Sequence, residues 1–120
     1  MPVVHIRSLA VDAEAAPATF GIVTRAVAEA TPCAVAGVWV TFQPLAAQSL
    51  GDEPVSGDGR IAYVDLWLRP RAGDPDAGGR ALAAACRGVA DGLGLPAEDV
   101  WGALHLVEPG AVFAGGSLVE

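Results

Sequence analysis

Three residues of this 120-residue chain can do chemistry together: a proline at position 2, and Arg69 and Arg71, which flank Pro70. Removal of the initiator Met1 would turn Pro2 into the N-terminus, with a secondary amine that no internal residue offers. Such α-amines titrate near ~7.7 to 8.0 in unstructured peptides, and both desolvation and a nearby cation lower that value. At the mouth of an apolar pocket with arginines close by, Pro2 would be neutral at physiological pH. It could then take a proton from carbon and return it elsewhere, and that kind of catalysis works best when the group's pKa lies near the working pH. The plainer alternative is that Pro2 merely opens a strand, where its missing N–H is not needed.

In an extended chain, residues two apart point to one face, so Arg69 and Arg71 can converge on a single ligand. Pro70 biases Arg69 towards extended backbone, which favours that geometry. Two guanidinium forks on one side make a receptor for a carboxylate or a carbonyl oxyanion, and they would help keep the Pro2 amine unprotonated. Alternatively both arginines sit at a frayed strand end and pair with Asp74 or Asp76 in the loop beyond it. Arg7, Arg25, Arg60, Arg80 and Arg87 read as helix-face or loop charges without a role in the chemistry. Cys33 and Cys86 read as buried free thiols. Neither has metal-ligand spacing, and His5 and His105 are too scattered to complete a site, so no metal and no cofactor are expected.

All seven cations of the chain are arginine, against 14 acidic residues, for a net charge of −7. An acidic chain has little with which to neutralise phosphates, which argues against a nucleic-acid partner. Arginine's planar fork suits bidentate carboxylate recognition better than lysine's point charge, which points to a small-molecule carboxylate instead. A hydrophobic fraction of 52% and a mean hydropathy of +0.44 exceed what a free-standing monomer needs, and imply surface buried between subunits. No apolar run approaches the roughly 18 residues that span a bilayer, and the start lacks a secretory pattern, so the expected location is the cytoplasm.

The elements that would position these residues follow from periodicity. Val3 to Leu9 reads as a strand, and Asp12 as the N-cap of an amphipathic helix over Ala13 to Glu29 with its stripe at Phe20, Val23, Val27 and Ala30. Thr31-Pro32 stops that helix, and Gly37 to Phe42 is a second strand of β-branched and aromatic residues. Turns or a short hairpin are expected in 44–59. Ile61 to Leu68 is the third strand, Asp74-Pro75 opens a helix striped by Leu82, Ala85, Cys86, Val89 and Leu93, and Gly94-Leu95-Pro96 ends it. Val100 to Val107 is the fourth strand.

An offset of 62 pairs Arg7 with Arg69, Asp12 with Asp74, Phe20 with Leu82 and Val38-Trp39 with Val100-Trp101, which suggests a duplicated strand–helix–strand unit. At that offset Pro2 falls on Val64, inside the third strand, so only the first unit can present an N-terminal amine. The expected architecture is one α/β (α+β) domain over 1–120. Its first β-α-β unit covers about 2–43, the linker 44–59, the second unit about 60–107 and a C-terminal segment 108–120. Parallel strands within a unit need a crossover, which the helix supplies, so two units give a four-stranded mixed sheet with both helices on one face. The apolar, glycine-bearing tail from Val112 to Glu120 either packs on a neighbour, with Phe113 walling an apolar pocket, or adds a strand to its own sheet.

Met1-Pro2 opening a strand, the unit used twice and Val112-Phe113-Ala114-Gly115-Gly116 near the end resemble the tautomerase superfamily along the whole chain. Arg69-Pro70-Arg71 before a helix is most similar to the malonate semialdehyde decarboxylase branch. The resemblance implies a cofactor-independent enzyme that interconverts keto and enol forms of a small 2-oxo acid. Pro2 would be the catalytic proline, Arg69 and Arg71 would bind the carboxylate or carbonyl oxygen, and Trp39 and Phe113 would join them around the substrate. It further implies a homotrimer. The chain departs from the family in instructive places. Thr31 to Gly37 (TPCAVAG) lacks the aspartate that the decarboxylase branch carries before its second strand, which ranks decarboxylation below tautomerisation. Asp12 and Trp39 fall near the arginine positions of the short 4-oxalocrotonate tautomerases. Ala103 and Leu104 stand where a dehalogenase would need a tyrosine or glutamate, and Glu108 lies beyond. A catalytically lapsed trimeric binding module is the third reading.

Overall fold

The computed structural model describes residues 2–119. Met1 and Glu120, where the reading of the N-terminus and of the tail began and ended, lie outside them. Strand β1 (Val3–Leu9) leads through a 3-10 turn (Ala10–Ala15) into helix α1 (Ala16–Ala30), and β2 (Trp39–Leu45) returns. A small hairpin of β3 (Gln48–Leu50) and β4 (Glu53–Val55) fills the linker. The second unit is β5 (Ala62–Leu68), α2 (Ala77–Leu93) and β6 (Val100–Leu106), and a last hairpin joins β7 (Phe113–Ala114) to β8 (Ser117–Leu118).

The main sheet has four strands in the order β2-β1-β5-β6. Within each unit the strands are parallel, β1 with β2 and β5 with β6, and the units meet through antiparallel β1 and β5. One face of this mixed sheet carries both helices. Alternation along the strands sends Val4 and Ile6 of β1 and Ala62, Val64 and Leu66 of β5 to that face, and all are fully buried. Val23 and Val27 of α1 and Ala81, Ala85 and Val89 of α2 close over them without exposure. At Gly88 of α2 an added Cβ would lie 3.3 Å from Val23 Cγ2, so the helices cross where a side chain is missing. Among the described residues no helix is long and apolar enough to cross a membrane.

Several boundaries differ from the sequence reading, each for a local reason. Asp12 makes no helix cap. It is 3% exposed inside the 3-10 turn, where Ser8 Oγ donates to it and Arg60 grips both its oxygens, so α1 starts three residues later than expected. Arg60, read as a loop charge, is therefore half of a buried ion pair. Asp74 makes no side-chain cap either but receives Arg80, and α2 begins at Ala77. The second strand begins at Trp39, after a 3-10 turn over Val35–Gly37, and runs on through Pro44 because β2 is an edge strand, where a missing N–H is tolerated. Among the described residues the tail adds no strand to the main sheet. It folds on itself about Gly115-Gly116, whose φ angles of +64° and +88° suit a two-residue hairpin turn.

The duplication is present in the elements, but not at a single offset. Matched by the face each residue points to, Val3 of β1 corresponds to Tyr63 of β5, 60 residues on, whereas Trp39 of β2 corresponds to Trp101 of β6 at the expected 62, and the register agrees, with Val3 opposite Trp39 and Tyr63 opposite Trp101. Arg7 in the middle of β1 is thus not the counterpart of Arg69 beyond β5. Pro2 corresponds to Ala62 rather than to Val64, and Arg71 to Val11.

Candidate active site

Strand directions bring the candidate residues together. Because β5 runs antiparallel to β1 with Val3 opposite Trp67, the end of β5 falls beside the start of β1, and Arg69 arrives next to Pro2. Because β2 is parallel to β1, the segment from α1 into β2 arrives at the same end and brings Thr31 and Cys33. Because β6 is parallel to β5, with Val107 N–H donating to the Leu68 carbonyl at 2.9 Å, the tail starts there too. Pro2 itself is buried, and its carbonyl accepts the Trp39 N–H at 3.0 Å, which pins it to the sheet.

Two clefts adjoin at this end, beside another of about 320 Å³ that Arg69 and Arg71 share with Asp74 and Leu106. One, of about 370 Å³, is lined by Pro2, Thr31, Cys33, Arg69, Arg71 and Ala77 among others. The second, of about 350 Å³, is largely apolar and includes Trp39, Trp67, Val107, Val112 and Phe113. Leu68 and Arg69 line both, so Arg69 stands at the junction. The proline and both arginines named from sequence thus share a cleft, while Trp39 and Phe113 lie in its neighbour. Arg71 reaches the Thr31 carbonyl through Nη1 at a long 3.4 Å. Asp74 is held by Arg80, whose hydrogen bond is the largest influence keeping the Asp74 carboxyl below the usual carboxylate range, with desolvation opposing it.

Neither cysteine is fully buried, in contrast to the expectation from composition. Both are free and half-buried. Cys33 lines the Pro2 cleft, its Sγ 3.1 Å from Thr31 Oγ1, and burial pushes the Cys86 thiol up despite nearby Arg87. Sequence reasoning also passed over Trp67. The signal was in Tyr63, Asp65 and Trp67, the alternate positions of β5 that face away from the helices. Among the described residues no group of three or more His, Cys, Asp or Glu side chains is placed to hold a metal.

This arrangement matches known structures over nearly its whole length. A fused 4-OT wild-type symmetric trimer superposes with a TM-score of 0.80 at 18% identity, covering 98% of this chain and 94% of that one. The chain has the tautomerase fold. A member of the cis-3-chloroacrylic acid dehalogenase family shares it with a TM-score of 0.77 at 22% identity, over 98% of this chain and 83% of its own. So does Pt0534 inactivated by 2-oxo-3-pentynoate, with a TM-score of 0.82 at 14% identity over 98% and 94%. No protein-family model and no curated protein matches the sequence. Within the tautomerase fold the two units of this chain differ at their equivalent ends. The first presents the Pro2 cleft, whereas at the second, ahead of Ala62, Arg60 and Asp12 fill the corresponding place with an ion pair.

Proposed function

We propose that this chain is a tautomerase-superfamily enzyme that interconverts the keto and enol forms of a small 2-oxo acid, with Pro2 as general acid and base. The observation that carries the reading is the cleft shared by Pro2, Arg69 and Arg71. One guanidinium fork binds the carboxylate, and the other lies against the 2-oxo oxygen. With Met1 removed, the neutral Pro2 nitrogen takes a proton from the carbon next to the carbonyl. The C–H electron pair becomes the enolate double bond, and negative charge gathers on the oxygen that the arginine N–H groups stabilise. Protonation of that oxygen yields the enol, and the reverse path returns the proton to carbon. Nothing is oxidised or reduced, so the step calls for no cofactor. The fold supports the reading, and so does the 2-oxo inactivator named for Pt0534.

The assembly we propose is a homotrimer, in line with the fused 4-OT trimers of the same fold. The sheet face away from the helices leaves Trp101, outside both clefts, exposed by 58%, apolar surface that a second copy would cover.

The experiment is the intact mass of untagged protein followed by turnover of enol substrates by wild type and Pro2→Ala. A mass short by one methionine and a strong loss of turnover in Pro2→Ala are expected. An unchanged rate in that variant would sink the reading. Carbon dioxide release from a β-oxo acid would instead indicate a decarboxylase at the same proline.

A further inference from the structure

The sheet face opposite the helices carries two polar clusters among its tryptophans, one of His5 with Thr41 and Gln43 and one centred on Asp65. Tyr63, Asp65 and Trp67 of β5 point to that face, as do Arg7 of β1 and His105 of β6. His105 lies directly across from Trp67 in the parallel β5–β6 pair, and their rings stack with centroids 4.5 Å apart and planes 12° off parallel. His105 Nε2 and Asp65 Oδ1 are 2.8 Å apart. The other oxygen of Asp65 receives Arg7 Nη2 at 3.2 Å, and Arg7 lies over the Tyr63 ring at 5.6 Å. The Asp65 side chain is 15% exposed, while those of Arg7 and His105 are 40% and 41% exposed, so the carboxylate is the sheltered centre of the network.

The network ends at the candidate site. Trp67 lines the apolar cleft that Arg69 joins to the Pro2 cleft, whereas His105, Asp65 and Arg7 line neither. Building on the function proposed above, we infer that Trp67 is a specificity-determining residue, and that His105, fixed by Asp65 and Arg7, positions it. The cleft that both arginines share with Asp74 carries that carboxylate, whereas a 2-oxo acid held by its own carboxylate at the arginines can extend past Arg69 into the apolar space walled by Trp39, Trp67 and Phe113. The group that gains most there is flat and apolar. An indole free to change rotamer would lose entropy on each binding event, whereas one already stacked is pre-organised. The ring pair also contributes beyond the area it buries. His105 and its partners therefore act on substrate choice through the wall, not by touching the reacting atoms.

The test uses two unreactive carboxylates that differ only in the distal group, 3-phenylpropanoate and propanoate. Their binding to the untagged protein is measured by calorimetry, and the readout is the ratio of the two affinities. That ratio is unaffected by whether Pro2 turns anything over, so a dead proline leaves the result interpretable. In wild type 3-phenylpropanoate should bind at least about tenfold tighter, a difference of about 1.4 kcal/mol. Trp67→Ala and Trp67→Leu should bring the ratio near one, His105→Ala should lower it markedly, and His105→Phe, which keeps a ring to stack on, should restore it. Using both Trp67 variants guards against one of them failing to fold. A wild-type ratio near one overturns the inference, as does a full ratio in either Trp67 variant or in His105→Ala. If neither carboxylate binds, the arginine reading falls and this inference falls with it.

Discussion

Replacing Arg60 with methionine strips the buried Asp12 carboxylate of a guanidinium that donates through Nε and Nη2, each at 2.8 Å. Asp12 is 3% exposed and would keep the Ser8 hydroxyl as a donor. Arg60 also donates to the Gly57 and Leu93 carbonyls, so it ties the linker, the end of α2 and the turn after β1 to one another. The hydrogen bonding that Arg60 donates to Asp12 is the largest influence raising the Arg60 pKa above the ordinary arginine value, with desolvation acting against it. Its charge is therefore present throughout any practical pH range. Breaking a buried pair from one side costs about 3 to 5 kcal/mol, because a charge is left behind without its partner. Whole-domain stabilities are about 5 to 15 kcal/mol, so Arg60→Met should be severe. With a urea m-value of about 2 kcal/mol per molar, the unfolding midpoint should fall by about 2 M. The assay is urea unfolding followed by tryptophan fluorescence at one fixed protomer concentration, since assembly shifts apparent stability. Asp12→Leu/Arg60→Met should recover most of the loss, because apolar groups can replace a buried pair at little cost. A loss below about 1 kcal/mol in Arg60→Met, or a double variant as unstable as the single, would refute the argument that a stranded carboxylate dominates.

Arg71→Ala should lower kcat/KM for a 2-oxo acid by about tenfold to a hundredfold, the range of a charge-assisted hydrogen bond, with most of the change in KM. Arg69→Ala should cost at least as much, since Arg69 lines both clefts; steady-state kinetics on the two variants decide it. With burial raising the Cys86 thiol, less thiolate is present at a given pH, so the native-state advantage of the protonated form holds at lower pH and is lost as pH rises through the raised value. Mass spectrometry after limited alkylation near neutral pH should find Cys33 labelled before Cys86, and a 2-oxo carboxylate should slow the Cys33 reaction. Labelling of Cys86 first would contradict the placement of the two thiols. Gly102→Ala would set a Cβ 2.5 Å from Cys86 Sγ and 3.1 Å from Leu82 Cδ1, and α2 would have to move off β6. Overpacking of that kind costs about 1 to 3 kcal/mol, read as a lower urea midpoint.

The strands and helices could be read from the chain because each buries a periodic stripe. Val4, Ile6, Val64 and Leu66 alternate, Val23 and Val27 recur at helical spacing, and burial by the same sheet face enforces both patterns. What failed was local and polar. Asp12 has the residue type and position of a cap, yet its partner is 48 residues away in sequence, and no window of local reading contains Arg60. The repeat offset of 62 holds for the helices and for β2 with β6, and it failed between β1 and β5 for a related reason. Insertions accumulate differently in each loop, so matched residue types such as Arg7 and Arg69 need not share a place in the fold.

The chain by itself determined the ingredients of the candidate site: Pro2 at the head of a strand, Arg69 and Arg71 at the end of another, and an apolar tail bearing Phe113. These are decisions of residue type and short spacing, and short spacing survives folding. Only the tertiary structure decided that they meet. The antiparallel register of Val3 with Trp67 carries the end of β5 to the start of β1, and the parallel pairs bring Cys33 and the tail to the same edge. It also decided that the second unit's equivalent place is filled by Arg60 and Asp12, and that His105 stacks on Trp67. Pairing register is a collective outcome of burying one face of the whole sheet, and no single strand's sequence contains it.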